Sequence, residues 1–266
     1  MCVRLFIQMI YYYSATGNSR YAALSLARRL LTKAIDIISP EASETVPEEG
    51  ESIGFVFPVY CWGVPPVVKA FITQSGERLQ RSPYVWSVCT CGDEAGIAMK
   101  VFSHYIKKLR GTGADALFSL IMPNTYVLLP GFDVDKKAVE EKKLSDAPGR
   151  IEEISLILEN RTRGVYDVHQ GTAAALRTRL IFPLFRRWGI SPKLWHAAET
   201  CIGCAKCSRI CPAHNIVMEN GRPEWGKNCY SCCACFHICP VKAVGYGKLT
   251  RGKSQYIFPN GEDVLG

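Results

Sequence analysis

The chain has 266 residues, of which 48% are hydrophobic and 21% charged, and its formal net charge is +8. This composition predicts a folded protein with a sizeable core and excludes a disordered chain. No run reaches the ~18 apolar residues of a transmembrane helix, and no small-residue cleavage site follows the apolar N-terminus. We therefore expect a cytoplasmic protein.

Residues 1–165 alternate between apolar strand-like runs and helical runs, which indicates one α/β domain. The strand-like runs are 5–13, 34–38, 53–59, 84–90 and 116–122. The helical runs are 19–31, 65–74, 95–109 and 135–160. Near-continuous apolar strands are typical of a parallel sheet covered on both faces. The order predicts a doubly wound, five-stranded parallel sheet.

The first strand–helix junction, "YYYSATGNSRYAALSLARRL" from residue 11, is rich in hydroxyl groups and contains a glycine. Backbone N–H groups at such a junction, together with the helix dipole, favour a bound phosphate. The loop has no lysine of the nucleotide-hydrolase type and no dinucleotide fingerprint. The predicted phosphate residues are Ser14, Ala15, Thr16, Gly17, Asn18 and Ser19.

Residues 166–196 form a predicted connector, with a helical core over residues 172–188 that Pro183 interrupts. Residues 170–195 contain no acidic residue, and their basic residues are Arg177, Arg179, Arg186, Arg187 and Lys193. Three interpretations stay open: a solvated helix, an anionic membrane surface, or an acidic protein partner. We favour packing of the apolar side between the flanking domains, with the arginines left for a partner, over membrane contact.

The chain contains 13 cysteines, and a repeated motif near its end holds most of them. "CIGCAKCSRICPAHNI" from residue 201 is echoed by "CYSCCACFHICPVKAV" from residue 229. Each copy has the spacing C-x2-C-x2-C-x3-C-P, in which the fourth cysteine ligates the other cluster of a two-cluster protein. The first cysteine set is then Cys201, Cys204, Cys207 and Cys239, and the second cysteine set is Cys229, Cys232, Cys235 and Cys211.

Zinc is the alternative occupant of these cysteines, although zinc sites usually have ligand pairs separated by longer loops. Four of the five remaining cysteines are interpreted as packed thiols rather than ligands or redox groups. They are Cys233 within the repeat and Cys61, Cys89 and Cys91 in the first domain. We assign residues 197–247 to this cysteine module and residues 248–266 to a C-terminal tail.

The cysteine module resembles a bacterial-type ferredoxin with two [4Fe–4S] clusters, and the first loop resembles the FMN-phosphate loop of flavodoxins. The order of "YYYSATGNS", "FPVYCWGVPP", "MPNTYV", the two Cys-Pro motifs and "YGKLTRGKSQYIFPN" resembles fused flavodoxin-like/ferredoxin proteins of anaerobes. This resemblance implies FMN, two [4Fe–4S] clusters and low-potential electron transfer. It also implies a small α+β ferredoxin-like domain after the flavodoxin-like one.

In the flavodoxin fold the flavin ring lies against the loops that follow the third and fourth strands. The implied ring contacts after strand three are Val59, Tyr60, Cys61, Trp62 and Gly63, and those after strand four are Thr90, Cys91 and Gly92. Asn124 and Tyr126 follow strand five. Tyr60 and Trp62 could instead be ordinary packed aromatics.

Two redox functions and one non-redox function fit this sequence. The leading hypothesis is electron transfer between two clusters and FMN, with a ferredoxin-type donor or a flavoenzyme acceptor as protein partner and no nucleic acid. The second is an FMN-dependent reductase of a small molecule, supplied by its own clusters. The third is a zinc-stabilised binding module joined to a phosphate receptor.

Overall fold

The computed structural model of the protein describes residues 8–45, 50–184 and 192–259. Within these ranges, six parallel strands form one sheet in the order β2-β1-β3-β4-β5-β6. The strands are β1 (Gln8–Tyr12), β2 (Lys33–Asp36), β3 (Ser52–Pro58), β4 (Val85–Cys91), β5 (Ala116–Ile121) and β6 (Val165–Asp167). The predicted α/β class and parallel sheet are confirmed. Residues 5–7 of the first predicted strand, and Cys2, lie outside the described residues.

The predicted count of five strands is wrong, because β6 extends the sheet beyond β5. It pairs in parallel with β5, from Ala116↔Val165 to Phe118↔Asp167. β6 has three residues, none of them fully buried. A short strand at the sheet edge needs no apolar run, so the sequence pattern does not reveal it. Residues 166 and 167, which we assigned to the connector, therefore belong to the sheet.

Helices cover both faces of the sheet. They are α1 (Asn18–Arg29), α2 (Pro40–Glu44), α3 (Pro66–Gln74), α4 (Gly76–Arg81), α5 (Ala98–Arg110) and α6 (Lys137–Glu159). Side chains of α1 and α6 join one buried cluster, and those of α3 and α5 join another on the opposite face. None of the described helices is long and apolar enough to cross a membrane.

The tyrosine run of β1 contributes to both cores, because successive strand residues point to opposite faces. Ile10 and Tyr12 belong to the α1–α6 face, whereas Tyr11 and Tyr13 belong to the α3–α5 face. β1 lies between β2 and β3 in the sheet. The connection from β1 to β2 runs to one side of β1, and the next connection brings the chain to β3 on the other side. The carboxyl ends of β1 and β3 therefore frame the crevice at which such sheets bind ligands.

The connector is helical over its described part, but Pro183 does not end the helix there. The chain forms α7 (Ala174–Leu176), a π-helical turn (Arg177–Ile181) and α8 (Phe182–Leu184). Proline lacks an N–H and crowds the preceding turn, and the wider π-helical turn lies immediately before it. Phe185, Arg186, Arg187 and Trp188 lie outside the described residues.

The connector does not bury its apolar side as expected. Its exposed apolar side chains are Leu176, Leu180, Ile181 and Leu184, with 40–57% of their surface accessible. By contrast, Thr178 is buried, and its Oγ1 accepts from the Ile97 N–H at 3.0 Å and donates to the Trp62 C=O at 2.7 Å. The helix is held to the sheet domain by polar contacts, and the predicted apolar packing is wrong for these four residues.

The cysteine module contains two antiparallel strand pairs and two short helices. β7 (Trp195–Ala197) pairs with β10 (Val244–Tyr246), and β8 (Ile216–Glu219) pairs with β9 (Arg222–Trp225). The helices are α9 (Lys206–Arg209) and α10 (Ala234–Ile238). The repeat offset seen in the sequence relates α9 to α10, β7 to β9 and β8 to β10, so the fold of the module repeats as its sequence does.

Replacing Asp36 by asparagine is expected to stabilise the fold at alkaline pH. Burial raises the pKa of Asp36 to about 6, although its carboxylate accepts from the Ile38 N–H at 3.2 Å. The folded protein thus binds this proton more tightly than the unfolded chain, and the ionised carboxylate is destabilising above pH 6. Urea denaturation should show a gain of about 1–3 kcal/mol at pH 8 that disappears towards pH 4. An equal gain at both pH values would contradict this explanation.

Candidate cofactor sites

The loop between β1 and α1 is shaped by one glycine. Gly17 has a φ of +100°, in the left-handed region, and its N–H donates to Ser14 Oγ at 3.2 Å. A Cβ at this position would lie 2.6 Å from the Cβ of Phe258, in the C-terminal tail. Glycine therefore permits both the turn and the close approach of the tail.

The side chains of the loop are anchored to neighbouring strand ends and to the tail. Asn18 Nδ2 donates to the Pro123 C=O at 2.9 Å, and Asn18 Oδ1 accepts from the Tyr256 hydroxyl at 2.7 Å. Ser19 Oγ and Thr90 Oγ1 are 2.7 Å apart and hydrogen-bonded. The amide of Asn18, predicted as a phosphate donor, is thus engaged within the protein and positions the loop.

A cavity, which we name the strand-end cavity, opens at the carboxyl ends of β1, β3, β4 and β5. Crevices at the carboxyl ends of parallel strands are the usual ligand sites of such sheets. Most residues predicted for the flavin line it: Ser14, Ala15, Thr16, Asn18, Ser19, Val59, Tyr60, Cys61, Thr90, Cys91, Gly92, Asn124 and Tyr126. The lining also includes residues that no sequence motif assigned to the flavin: Pro58, Met122, Pro123, Thr125, Ser231 and Cys232.

Three predicted residues lie outside this lining. Gly17 is beneath the tail, and a Cβ on Gly63 would lie 2.4 Å from the ring of Phe182. Trp62 lines an adjoining outer cavity, which shares Val59, Cys61, Cys91, Gly92, Asn124 and Tyr126 with the strand-end cavity. The absence of a side chain at Gly63 therefore allows Phe182 of the connector to pack against this turn.

The outer cavity has an aromatic and apolar wall with one ion pair. Its side chains include Trp62, Leu129 and Phe132, and Arg177 of the connector pairs with Glu94 there. The Arg177 guanidinium lies 5.1 Å from the centre of the Trp62 ring, and Trp62 Nε1 donates to Glu94 at 3.2 Å. The connector thus closes one side of a cleft that continues from the strand-end cavity.

The turn at residues 60–63 presents Cys61 and Trp62 at the cavity edge. The Tyr60 and Gly63 backbones exchange hydrogen bonds of 3.0 and 2.9 Å, and Cys61 and Trp62 have φ values of +44° and +60°. Positive φ at both central positions is typical of a type I′ turn and is unusual for residues with side chains. Such backbone strain is often kept at functional sites.

Two thiols of the sheet domain, those of Cys61 and Cys89, lie in surroundings that raise their pKa values. Burial raises the pKa of Cys61 to about 11. A hydrogen bond with Cys91 and burial together raise the pKa of Cys89 well above its usual range. Because a thiolate is the reactive form of cysteine, this environment favours the interpretation of Cys61 and Cys89 as packed thiols.

A pair of tyrosines lies between the strand-end cavity and the cysteine module. The hydroxyls of Tyr13 and Tyr60 are 2.9 Å apart, and burial raises the pKa of both side chains well above 10. Burial also raises the pKa of Cys232 to about 12, against which a hydrogen bond from Tyr13 acts. These contacts join the end of β1 to the second cysteine set.

The backbone conformation of the cysteine module follows the internal repeat of its sequence. Left-handed φ values occur in matched pairs one repeat apart: Gly203 and Ser231, Ala205 and Cys233, His214 and Lys242. Ala205 and Cys233 each precede a short helix. Cys233 is 2% exposed and occupies the position that the first copy gives to an alanine, which is consistent with a packed thiol.

The module brings members of each predicted cysteine set close together. Burial raises the pKa of Cys207, and Cys204 and Cys239 of the same set add to the rise. In the second cysteine set, Cys211, Cys229, Cys232 and Cys235 line one thiol cavity. Within the described residues, no group of three or more His, Cys, Asp or Glu side chains is arranged as a ready metal site. Ligation by these cysteines therefore stays a prediction.

Two indole N–H groups border the thiol cavity. Trp195 Nε1 and Trp225 Nε1 are buried and have no acceptor among the described residues. Burial raises the pKa of Cys229 and Cys235, and the Trp195 and Trp225 side chains respectively oppose those rises. Buried donors without partners are rare in proteins. Their position beside soft thiol ligands fits a bound group that offers sulfur acceptors.

The C-terminal tail connects the cysteine module to the first loop. Lys253 Nζ donates to the Val127 and Leu129 C=O groups at 2.6 and 2.8 Å. The Tyr256 N–H donates to His237 Nδ1 at 3.2 Å, and the Phe258 N–H donates to the Thr16 C=O at 2.9 Å. Residues 253–258 thus contact both cofactor regions.

Residues 9–115 match the family model of the flavodoxin domain. The N-terminal part of this chain is a flavodoxin-like domain. No curated protein matches the chain.

Among solved structures, rubredoxin:oxygen oxidoreductase from the anaerobe Desulfovibrio gigas is similar, with 15% identity and a TM-score of 0.38. The match covers 58% of this chain and 36% of that protein, so the chain spans about a third of its length. The two-electron reduced flavodoxin of Megasphaera elsdenii has 18% identity and a TM-score of 0.34, over 54% of this chain and 99% of that one.

Proposed function

We propose that the protein transfers low-potential electrons between two [4Fe–4S] clusters, held by the two cysteine sets, and FMN held in the strand-end cavity. The observation that carries this proposal is the position of Cys232, which lines both the strand-end cavity and the thiol cavity. Groups bound in two cavities that share a wall residue would be neighbours. The flavodoxin-like domain supports FMN as the flavin.

The chain's own groups bind and orient the flavin in this proposal. Bound FMN supplies exchange of one or two electrons, whereas a cluster supplies one at a time. The backbone at the start of α1 and the Thr16 hydroxyl bind the phosphate. Asn18 is held by Pro123 and Tyr256 and fixes the loop on which these donors lie.

The cofactor content tests the proposal directly. Protein purified without oxygen should contain about eight iron and eight sulfide per chain, and one FMN, identified by chromatography after release. FAD alone would contradict the phosphate-loop assignment, because the first turn has no dinucleotide fingerprint. Stoichiometric zinc without sulfide would reject the clusters and favour the zinc-stabilised binding module.

Thr16→Ala is expected to weaken FMN binding by about 1–3 kcal/mol, the cost of an unmade hydrogen bond to a charged group. Thr16 is buried and lines the strand-end cavity. Fluorescence titration of the flavin-free protein with FMN measures the dissociation constant. Thr73→Ala is the matched control, since Thr73 Oγ1 bonds only its own helix at Lys69 on the exposed side of α3. Equal dissociation constants for both variants would show that the Thr16 hydroxyl does not bind the phosphate.

The outer cavity favours a second candidate, an FMN-dependent reductase of a small molecule. It continues from the strand-end cavity and has apolar walls and an ion pair that could fix a substrate. Steady consumption of a small apolar acceptor, supported by the flavin and abolished when FMN is removed, would favour this reaction. Reduction of partner proteins alone would favour electron transfer.

We propose redox proteins, a ferredoxin-type donor or a flavoenzyme acceptor, as partners in the cytoplasm. The net charge of +8 suits an acidic partner. Because the connector exposes apolar side chains beside its basic ones, contact with an anionic membrane stays an alternative. Flotation with anionic liposomes at physiological salt tests that contact.

A further inference from the structure

The two cysteine sets have different surroundings, although the module is an internal repeat. Trp195 and Trp225 lie beside the second set, at Cys229 and Cys235, and both line the thiol cavity. Their rings are stacked with centroids 6.2 Å apart and an interplanar angle of 15°. Both indoles are thus held rigidly with their buried N–H groups beside the sulfur ligands.

The repeat shows what stands at the equivalent positions beside the first set. β7 and β9 correspond with the same offset as Cys201 and Cys229, so Trp225 corresponds to Ala197 and Trp195 to Pro223. Alanine and proline have no side-chain donor. At these equivalent positions, the second cysteine set therefore has indole N–H groups beside it, whereas the first has residues without a side-chain donor.

Backbone donors contribute one shared pair of bonds and one bond to the second set alone. The Asn215 N–H donates to Cys211 Sγ at 3.3 Å in the second set, and the equivalent Ala243 N–H donates to Cys239 Sγ at 3.2 Å in the first set. These two bonds are related by the repeat and affect both sets alike. The Ser231 N–H also donates to Cys229 Sγ at 3.3 Å. The side-chain asymmetry lies in the tryptophans, with Tyr13 as a further donor at Cys232, and all of these donors favour the second set.

Hydrogen bonds to cluster sulfurs are among the factors that set the reduction potential. A donor stabilises the additional negative charge of the reduced cluster, so it favours reduction. The second set also contributes Cys232, and its neighbour Ser231, to the wall of the strand-end cavity. The cysteine set with more hydrogen-bond donors beside its sulfur atoms is therefore the one that borders the strand-end cavity.

Given the proposed function, we infer that Trp195 and Trp225 make the cluster on the second cysteine set the more easily reduced of the two, and so direct electrons inward. A one-electron donor protein reduces the first cluster. That cluster is reoxidised as it passes the electron to the second, and the second passes it to the flavin, where two such electrons and a proton are stored. Trp195 and Trp225 act as positioning residues that hold N–H groups on sulfur.

The test is a redox titration of the oxygen-free, fully loaded protein, followed by electron paramagnetic resonance. The wild type should show two cluster signals with different midpoint potentials. Trp195→Phe and Trp225→Phe keep a buried aromatic ring but remove the N–H. Each should lower the potential of the more easily reduced cluster, by about a tenfold fall in its equilibrium constant for reduction, equal to about 59 mV for one electron. The other cluster should not change.

Trp86→Phe is the matched control. Trp86 is fully buried in the sheet core, and its Nε1 also lacks an acceptor among the described residues. It should leave both potentials unchanged. If the two tryptophan variants fail to assemble clusters, wild-type protein labelled with ¹⁵N in the indole ring replaces them. Pulsed resonance should then detect coupling of an indole nitrogen to one reduced cluster.

The outcomes separate the inference from the proposed function. Two wild-type cluster signals with unshifted potentials in both variants, or with no indole coupling, would overturn the inference and leave the proposed function standing. A potential shift in the less easily reduced cluster would overturn the inferred direction. Absence of both cluster signals from fully prepared wild-type protein would overturn the proposed function and the inference together.

Discussion

Replacing Cys229 and Cys232 together by alanine should reduce the iron content from about eight to about four per chain. In the proposed function, two of the four ligands of the second cysteine set are then lost, so the cluster proposed there cannot be held. Because Cys232 also borders the strand-end cavity, flavin reduction by a protein donor should fall at least as far as the iron content. Iron analysis and stopped-flow absorption of the flavin measure the two effects.

Two further variants show whether the loss is specific. The Cys201→Ala/Cys204→Ala pair should also halve the iron but remove the other resonance signal, because these residues belong to the first cysteine set. Cys233→Ala is the control, since this buried thiol is next to the ligands and outside both sets. An unchanged iron content in both double variants, or a halved iron content in Cys233→Ala, would show that the cysteines are wrongly assigned as ligands.

Gly17→Ala should be the most damaging single change for flavin binding. The left-handed backbone at Gly17 costs an alanine about 1–2 kcal/mol. Its Cβ would also lie 2.6 Å from the Cβ of Phe258, and such overpacking typically costs about 1–3 kcal/mol. The loop and the tail must therefore separate, which moves the phosphate donors. We expect FMN binding to weaken at least tenfold in fluorescence titration.

Gly111→Ala separates the two causes. Gly111 has a φ of +86°, and a Cβ at this position would meet no heavy atom within 4 Å, so the variant carries the backbone penalty without the collision. Gly111 ends α5, away from the strand-end cavity, and its replacement should lower the free energy of unfolding while leaving FMN binding intact. Equal effects of the two variants on the dissociation constant would show that the contact with Phe258 is unimportant.

The sequence predicts most of the sheet domain because its strands are buried on both faces. Apolar runs at 53–59, 84–90 and 116–122 match β3, β4 and β5 to within a residue at each end. The loop after β1 follows from hydroxyl groups and a glycine at a strand–helix junction. The carboxyl ends of parallel strands meet at one edge, so the residues predicted for the flavin largely line one cavity.

Features set by contacts between distant segments could not be read from local patterns. β6 lies at the sheet edge with little burial. The connector is fixed by Thr178 and by Phe182 against Gly63, while four of its apolar side chains stay exposed. Asn18 resembles a phosphate donor in sequence, but its amide is taken by Pro123 and Tyr256. The two indole donors at the thiol cavity come from strands outside the cysteine motifs, although the repeat itself marks where they differ.

The bond between Tyr256 and Asn18 joins residues separated by 238 positions, and it has a consequence for biosynthesis. When Asn18 leaves the ribosome, the residue that holds its amide has not been translated. The sheet can form from nearby segments, but the first loop receives its outer wall only after the cysteine module and the tail have emerged. Contacts so distant in sequence form late in folding. We therefore expect tight flavin loading to follow the folding of the cysteine module and the docking of the segment that contains Tyr256.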